Sequence, residues 1–263
     1  MVKGIDVSNW QSAIDWNKAK ADGVSFAMVK ASQGKLVANP NVGPFADSMF
    51  MKHFKGAVSA GIPCGVYHYL SARNLLEAEK EASFFIKTIA PVKGKISLWA
   101  AIDAEDDANL PTEKGALTQM IHLFADILVR AGYKPMLYSN PNYLTYRMGD
   151  VSDLPLWLAF YGVTADKALA YNPKIWQPSK GKVNGVKEDV DIDYGYFAAD
   201  TTIRVGDKVR VVSPYIYHSV RRFAVYYSSY DVISVSGDRV VIGIGSVVTA
   251  AVHVKNLAKL AVQ

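Results

Sequence analysis

The sequence contains a single cysteine, Cys64. No intrachain disulfide can form, and a disulfide-stapled fold is excluded. Cys64 is expected to be a small buried hydrophobe. No apolar run approaches the ~20 residues of a membrane span, so membrane insertion is not expected. The opening Met1-Val2-Lys3-Gly4-Ile5-Asp6 lacks the long apolar core of a secretory leader. The expectation is a chain with no signal peptide, made in the cytoplasm. The five histidines, His53, His68, His122, His218 and His253, show no paired metal-ligand spacing, which argues against a zinc site. No glycine-rich phosphate-binding motif, internal repeat or low-complexity tract is present. No metal or cofactor is expected.

Half of the 263 residues are hydrophobic and a fifth are charged, the balance of a globular protein with room for a barrel-sized domain and a small second one. The charge is uneven. Residues 1–200 carry equal numbers of acidic and basic side chains, so the whole formal charge of +5 falls in residues 201–263. A basic module beside a neutral domain points to an anionic polymer as partner. Nucleic acid would also be drawn to that charge. The segment has no aromatic RNA-binding motif and no basic cluster at helical spacing, so nucleic acid is not expected.

Over the first 200 residues, apolar strand candidates alternate with helices or loops about eight times. The strands are read at 2–8, 26–32, 63–70, 98–103, 134–140, 154–162, 173–179 and 189–197. Helices are expected at 45–60, ending at Gly61, and after Asn74, with Glu77 completing a capping box and Leu75, Ala78, Ala82, Phe85 and Ile89 on one face. Another follows a Thr112 cap, with Leu117, Ile121, Phe124 and Leu128 on its face, and ends at Gly132. This is the pattern of a parallel α/β barrel, whose chemistry sits at the C-terminal strand ends. Asp200-Thr201-Thr202 reads as a linker. Beyond it come short β-segments with glycine turns at Ser236-Gly237-Asp238 and Gly243-Ile244-Gly245, a small all-β barrel near the lower size limit for folding alone.

The stretch with the most chemistry is Leu98-Trp99-Ala100-Ala101-Ile102-Asp103-Ala104-Glu105. A buried strand ends abruptly in acid. Alternation puts Asp103 and Glu105 on one side, with Cα atoms about 6.6 Å apart. Two carboxylates so placed resist ionising together, so that one can stay protonated as a general acid; on this stretch alone, a strand that simply ends in a solvated acidic loop reads equally well. Asp106 and Asp107 are expected to be solvated loop residues. Other strand ends carry Asp6, Tyr67, His68, Tyr138, Tyr161 and Gln177. Tyr67, Tyr138, Trp157, Tyr161 and Trp176 are candidates to stack on sugar rings. Trp16 and Trp99 are expected in the core, and His68 is expected to be a hydrogen-bonded structural residue.

The ordered set GIDVSNWQ (4–11), FAMVKAS (26–32), GVYHYL (65–70), AIDAE (101–105), PLWLAFYG (155–162), IWQPS (175–179) and VDID (190–193) resembles the family 25 glycoside hydrolases, the Chalaropsis-type lysozymes of bacteria and phage endolysins. The resemblance covers roughly residues 2–198. It implies an irregular TIM-like (β/α) barrel and an N-acetylmuramidase that cleaves the β-1,4 bond between N-acetylmuramic acid and N-acetylglucosamine of bacterial peptidoglycan. On the family's motifs, Glu105 falls on the proton donor, Asp103 on its Asp-x-Glu partner, and Asp6 and Asp191 on the remaining acids. Asp103 is either the nucleophile or the group that orients the 2-acetamido of the sugar for intramolecular attack. The expected catalytic set is therefore Glu105, Asp103, Asp6 and Asp191, with Tyr67, Tyr138, Trp157, Tyr161 and Gln177 as substrate contacts. Asp193 stands where the family often has Asn and is taken as structural or solvated. Gln33 replaces a frequent glutamate.

VGDKVRVV (205–212) and SGDRVVIG (236–243) resemble a bacterial SH3-type wall-binding module. The implied organisation is a catalytic domain at 1–199 and an SH3-like cell-wall-binding domain at 200–263, whose charge suits anionic wall polymers. Five tyrosines, Tyr215, Tyr217, Tyr226, Tyr227 and Tyr230, are candidates for its groove. The leading expectation is a phage endolysin that reaches the wall after release from the host cytoplasm. A bacterial autolysin is the variant, and a non-catalytic wall-binding protein on a glycosidase scaffold is the competing class.

Overall fold

A computed structural model of the protein describes residues 1–35, 43–197 and 203–260. The chain divides into two compact units, Met1–Phe197 and Ala198–Gln263. The linker expected at 200–202 lies outside the described residues.

The first unit is a closed barrel of eight strands. They are β1 (Val2–Val7), β2 (Phe26–Gln33), β4 (Cys64–Tyr69), β5 (Ala100–Asp103), β6 (Pro135–Ser139), β7 (Leu156–Ala159), β8 (Ile175–Gly181) and β9 (Val190–Gly195), and β1 pairs with both β2 and β9 to close the ring. A two-residue strand, β3 (Phe45–Ala46), hangs on the edge of β2. The expectation of parallel strands holds from β1 to β8 around the ring. It fails at β9, which runs antiparallel to both neighbours. β8 and β9 are joined by a short loop, and a parallel pairing would need a crossover of a dozen residues or more.

Among the described residues, five α-helices cover the outside: α1 (Trp16–Ala21), α2 (Phe50–Ser59), α3 (Leu75–Ile89), α4 (Lys114–Arg130) and α5 (Ala165–Leu169). Two helix starts differ from expectation, and a third agrees with its capping box only half made. Residues 45–46 are strand, because Asp47 accepts hydrogen bonds from the amides of Asn9 (2.9 Å) and Met49 (2.8 Å) and forms a turn before α2. Thr112 does not cap α4; Glu113 occupies that position without a side-chain bond. Asn74 does cap α3 through Glu77 N, but the Glu77 carboxylate turns to Arg73 and Lys35, so the box is half made. Leu75 is 45% exposed, outside the buried face of Ala78, Ala82, Phe85 and Ile89.

Strand alternation sorts the barrel into two cores. Outward residues such as Ile5, Val29, Val66, Ile102, Leu137 and Ile192 meet the helices. Inward residues such as Phe26, Met28, Ala101, Met136, Trp157 and Ile175 fill the lumen. Gly4 faces the ring of Phe26, and any Cβ there would collide with it. Cys64 is fully buried, and burial pushes its thiol up. His68, also buried, bonds Ser32 Oγ at 2.8 Å and Glu81 at 2.9 Å.

The second unit is a five-stranded antiparallel sheet in the order β13-β12-β11-β10-β14: β10 (Lys208–Val211), β11 (Tyr230–Ser236), β12 (Arg239–Ile244), β13 (Val247–His253) and β14 (Leu257–Lys259). It has its own core of Val209, Tyr230, Val232, Val240, Ile242 and Val252. Gly237 and Gly245, at φ +59 and +57, make the two expected turns. Tyr230 belongs to this core and to no groove.

Candidate active site

The inward row of each strand becomes polar toward one end of the barrel. Asp6 follows Gly4 on β1, Lys30 follows Met28 on β2, Asp103 follows Ala101 on β5, and Gln177 follows Ile175 on β8. β9 enters from the opposite direction, so its inward row opens with Asp191, and Asp193 lies deeper. Register places Asp191 opposite Asp6. Glu105 lies two residues beyond the end of β5, on a loop, and still faces the same space. Asp6, Lys30, Asp103, Glu105, Gln177 and Asp191 line a cavity of about 720 Å³ with Tyr67, Tyr69, Tyr138, Trp157 and Tyr161, while Asp193 lies beneath it. All nine residues expected from the sequence line it: Glu105, Asp103, Asp6, Asp191, Tyr67, Tyr138, Trp157, Tyr161 and Gln177.

A hydrogen-bond chain ties the wall together. Gln177 Nε2 donates to Asp6 Oδ2 at 2.7 Å, and Gln177 Oε1 accepts from the hydroxyls of Tyr138 (2.9 Å) and Tyr161 (2.6 Å). The Tyr161 hydroxyl also lies 3.2 Å from Asp191 Oδ1. Lys180 lies 3.7 Å from Asp191 at the cavity wall. Gln177 is therefore engaged on both ends of its amide and acts as a clamp between acids and tyrosines. Trp157 is 1% exposed. It donates to Asp193 Oδ1 at 2.8 Å and meets Tyr67 and Tyr138 edge to face, so it is the floor beneath the ring-stacking positions. Asp103 Oδ1 has no hydrogen-bond partner among the described residues.

Burial and crowding raise every acid here. Asp6 is pushed up to about 8 by burial and then by the charge of Asp191. Burial, with Glu105 beside it, holds Asp103 well above the usual carboxylate range. Glu105 is raised by burial and by Asp191, while Lys30 and the Tyr138 hydroxyl pull the other way. Asp191 is raised by burial against the pull of Lys180. Asp193 is raised well above its ordinary value by burial and Asp6. Lys30 is lowered by burial, opposed by Asp103. The arrangement keeps a carboxylic acid protonated near neutrality with negative charge close by, as acid-assisted departure of a sugar leaving group demands.

Two expectations are corrected, and a third is narrowed to one of its alternatives. Trp176 faces outward because its neighbour Gln177 faces inward; it packs on Tyr194 and donates to Phe160 O at 3.0 Å, away from the cavity. Asp106 is buried, not solvated. Its carboxylate accepts from the amides of Ala108 and Asn109 and from the Asn109 side chain. Asp193 is fully buried, which leaves only its structural reading. Asp107 is exposed as expected, and pairs with Arg147 at 3.0 Å. Sequence reasoning missed Lys30, Tyr69, Lys180 and Trp10, all in the cavity wall. Lys30 had a signal: a lysine two residues after Met28 on the inward row of a buried strand. Lys30 bonds Gln33 Oε1 at 2.9 Å.

The sequence profile of the glycosyl hydrolases of family 25 matches residues 5–186. An autolytic lysozyme of Clostridium acetobutylicum is 31% identical over 73% of this chain and 55% of its own length. Lysozyme M1 of Streptomyces globisporus is 29% identical over 72% of this chain and 66% of its own. The chain thus spans between half and two thirds of these relatives. Among solved structures, the bacterial lysozyme of Streptomyces coelicolor superposes with a TM-score of 0.60 at 25% identity, covering 75% of this chain and 93% of that one. The CTP1L endolysin superposes with a TM-score of 0.60 at 24% identity, over 74% of this chain and 66% of that one, a likeness of fold.

Proposed function

The chain belongs to the glycosyl hydrolases of family 25, and on that premise we propose that it is an N-acetylmuramidase hydrolysing the β-1,4 bond between N-acetylmuramic acid and N-acetylglucosamine in bacterial peptidoglycan. The observation that carries the reading is the gathering of Glu105, Asp103, Asp6 and Asp191 around one cavity among tyrosines. Glu105, raised by burial and repulsion from Asp191, is the acid that gives its proton to the leaving oxygen. Asp103, with an oxygen free of partners, serves either as nucleophile or as acceptor for the N–H of a 2-acetamido group that attacks in its place. Gln177 fixes Asp6 and orients the Tyr138 and Tyr161 hydroxyls, and Tyr67, Tyr138 and Tyr161 present ring faces and edges to the glycan. The retention of Glu105 and Asp103 in a cavity open to glycan favours this over a non-catalytic wall-binding scaffold.

The second unit completes the proposal as an SH3-like wall-binding module, supported by its five-stranded antiparallel sheet and the excess of basic residues after residue 200. Its role is to hold the enzyme on anionic wall polymers. We place the protein as an endolysin acting on the host wall after release from the cytoplasm; the fold it shares with the CTP1L endolysin supports this role. The test is release of soluble glycan from purified walls by the wild-type protein and by Glu105→Gln. Equal release by both proteins would remove the basis of the proposal.

A further inference from the structure

Between β10 and β11 the second unit runs through a long connection, residues 212–229, with no strand or helix of its own. Connections longer than ~12–15 residues without regular structure are uncommon in compact domains and usually functional. Its backbone is nonetheless fixed at three points. Ile216 N donates to Arg221 O at 2.9 Å and Phe223 N to Pro214 O at 3.0 Å, making Tyr215 and Arg222 cross-strand partners. Tyr217 N donates to Ala251 O of β13 at 2.7 Å. The hydroxyl oxygen of buried Tyr230 accepts the amides of Tyr226 (3.0 Å) and Tyr227 (3.3 Å). The core thus holds the connection in place while its large side chains face water. Tyr226 is 81% exposed, Tyr227 55% and Tyr215 40%.

The connection contains no acidic residue and carries Arg221 and Arg222, both exposed. Among the described residues, the unit's acids are occupied elsewhere: Asp207 with Lys259 at 2.8 Å, Asp231 with Lys208 at 2.6 Å, and Asp238 with His253 at 3.0 Å. Arg221 and Arg222 enter no ion pair among the described residues. Arg222 lies 5.4 Å over the ring of Tyr215, which holds the guanidinium in place without neutralising it. Guanidinium forks match phosphate oxygens, and exposed tyrosines offer apolar faces with a hydroxyl at the tip.

We infer that this tyrosine–arginine strap, centred on Tyr215, Arg221, Arg222, Tyr226 and Tyr227, is the face that binds a phosphodiester-linked polyol polymer of the bacterial wall. The inference rests on the reading of the second unit as a wall-binding module and names the ligand chemistry and the residues. The arginines take the phosphates; the tyrosines cover the C–H faces of the polyol between them and bond its hydroxyls.

The experiment titrates the full-length protein with purified poly(glycerol phosphate), and in parallel sediments it with intact walls and with walls stripped of phosphate polymers. Arg221→Glu/Arg222→Glu and Tyr226→Ala/Tyr227→Ala should each weaken polymer binding about tenfold or more, through lost phosphate forks and lost ring contact. Hydrolysis of soluble glycan should be unchanged. Arg210→Glu/Lys255→Glu makes the same charge change on exposed residues off the strap and should weaken binding by less than about threefold, as a screened field effect. Arg221→Lys/Arg222→Lys keeps charge and solubility and should fall between. Equal losses from the two charge reversals, or full affinity in the tyrosine variant, would overturn the strap as the site. Equal affinity for single-stranded DNA with the same tyrosine dependence would overturn the ligand assignment. Sedimentation with neither kind of wall would instead bring down the wall-binding reading itself, whereas wall binding without polymer binding overturns only the strap.

Discussion

Asp6 and Asp191 face each other across the antiparallel pair β1–β9, the seam that closes the barrel. The step that completes the fold therefore also completes the acid ring: without the reversal of β9, Asp191 would sit at the other end of the lumen. Gln177 bonds Asp6, and Tyr161 spans Gln177 and Asp191. The charge of Asp191 in turn helps raise both Asp6 and Glu105.

That seam makes a statement about stability. Asp6 titrates at about 8 in the folded protein against 3.8 for the unperturbed group. The folded state then holds a proton that the unfolded chain has already released, so this group's contribution is fully present below about pH 4 and is lost as pH rises toward about 8. Asp103, Glu105, Asp191 and Asp193 shift in the same direction. The thermal midpoint of the barrel should fall between pH 5 and pH 8, and Asp6→Asn should flatten that slope. A midpoint that rises over this range in the wild type, or an unchanged slope in the variant, would contradict the assignment.

Glu105→Gln keeps the shape and polarity of the side chain and removes the proton. Turnover on soluble glycan should fall by roughly 10²–10⁴, with sedimentation on walls unaffected. Because burial and Asp191 raise Glu105, the acid form persists above the ordinary glutamate range, and the wild-type rate should decline on the alkaline side as it ionises. Asp191→Asn removes a repulsive neighbour and should move that alkaline limb to lower pH.

Asp103 and Asp106 separate chemistry from support. Asp103→Asn should strongly impair turnover without lowering the thermal midpoint. Asp106→Asn keeps an acceptor for the amides of Ala108 and Asn109 but loses the one facing the Asn109 side chain. It should cost about 1 kcal/mol of stability, the worth of one hydrogen bond, and leave turnover nearly intact. Equal losses of turnover at both positions would mean that the acidic cluster acts as a diffuse field.

Arg147 holds the loop that carries Glu105. Its guanidinium reaches Asp107 at 3.0 Å and the carbonyls of Leu110 (3.2 Å) and Pro111 (3.3 Å), and Tyr143 donates to the same Asp107 oxygen at 2.7 Å. Arg147→Ala should lower kcat about tenfold with KM nearly unchanged, because a small misplacement of a reacting group is costly. Arg147→Lys should recover part of the loss. A change in KM alone would place Arg147 in substrate binding instead.

Much of this site was legible because barrel chemistry follows strand alternation. Asp6, Asp103 and Gln177 each sit two positions after an inward glycine or apolar residue, and the sequence shows that spacing directly. The same rule, applied strictly, would have excluded Trp176, since adjacent strand residues cannot face the same side. What stayed hidden depends on tertiary contacts. The antiparallel course of β9 is set by a short connection and by pairing with β1. Asp106 looks like any loop aspartate until Asn109 folds back on it. The start of α2 is fixed by Asp47 bonding to Asn9, a residue on a distant loop. Lys30 carries the same signal, an inward position two residues after Met28 on β2.

The central claim is the bond that is cut, and the most direct measurement is the identity of the new reducing end. Purified peptidoglycan is digested with the full-length protein, the products are reduced with borohydride, and the reduced amino sugars are separated and identified. The account predicts reduced N-acetylmuramic acid, and none above background from Glu105→Gln. Reduced N-acetylglucosamine as the product would contradict it, because the cavity would then be cutting the other glycosidic bond of the chain.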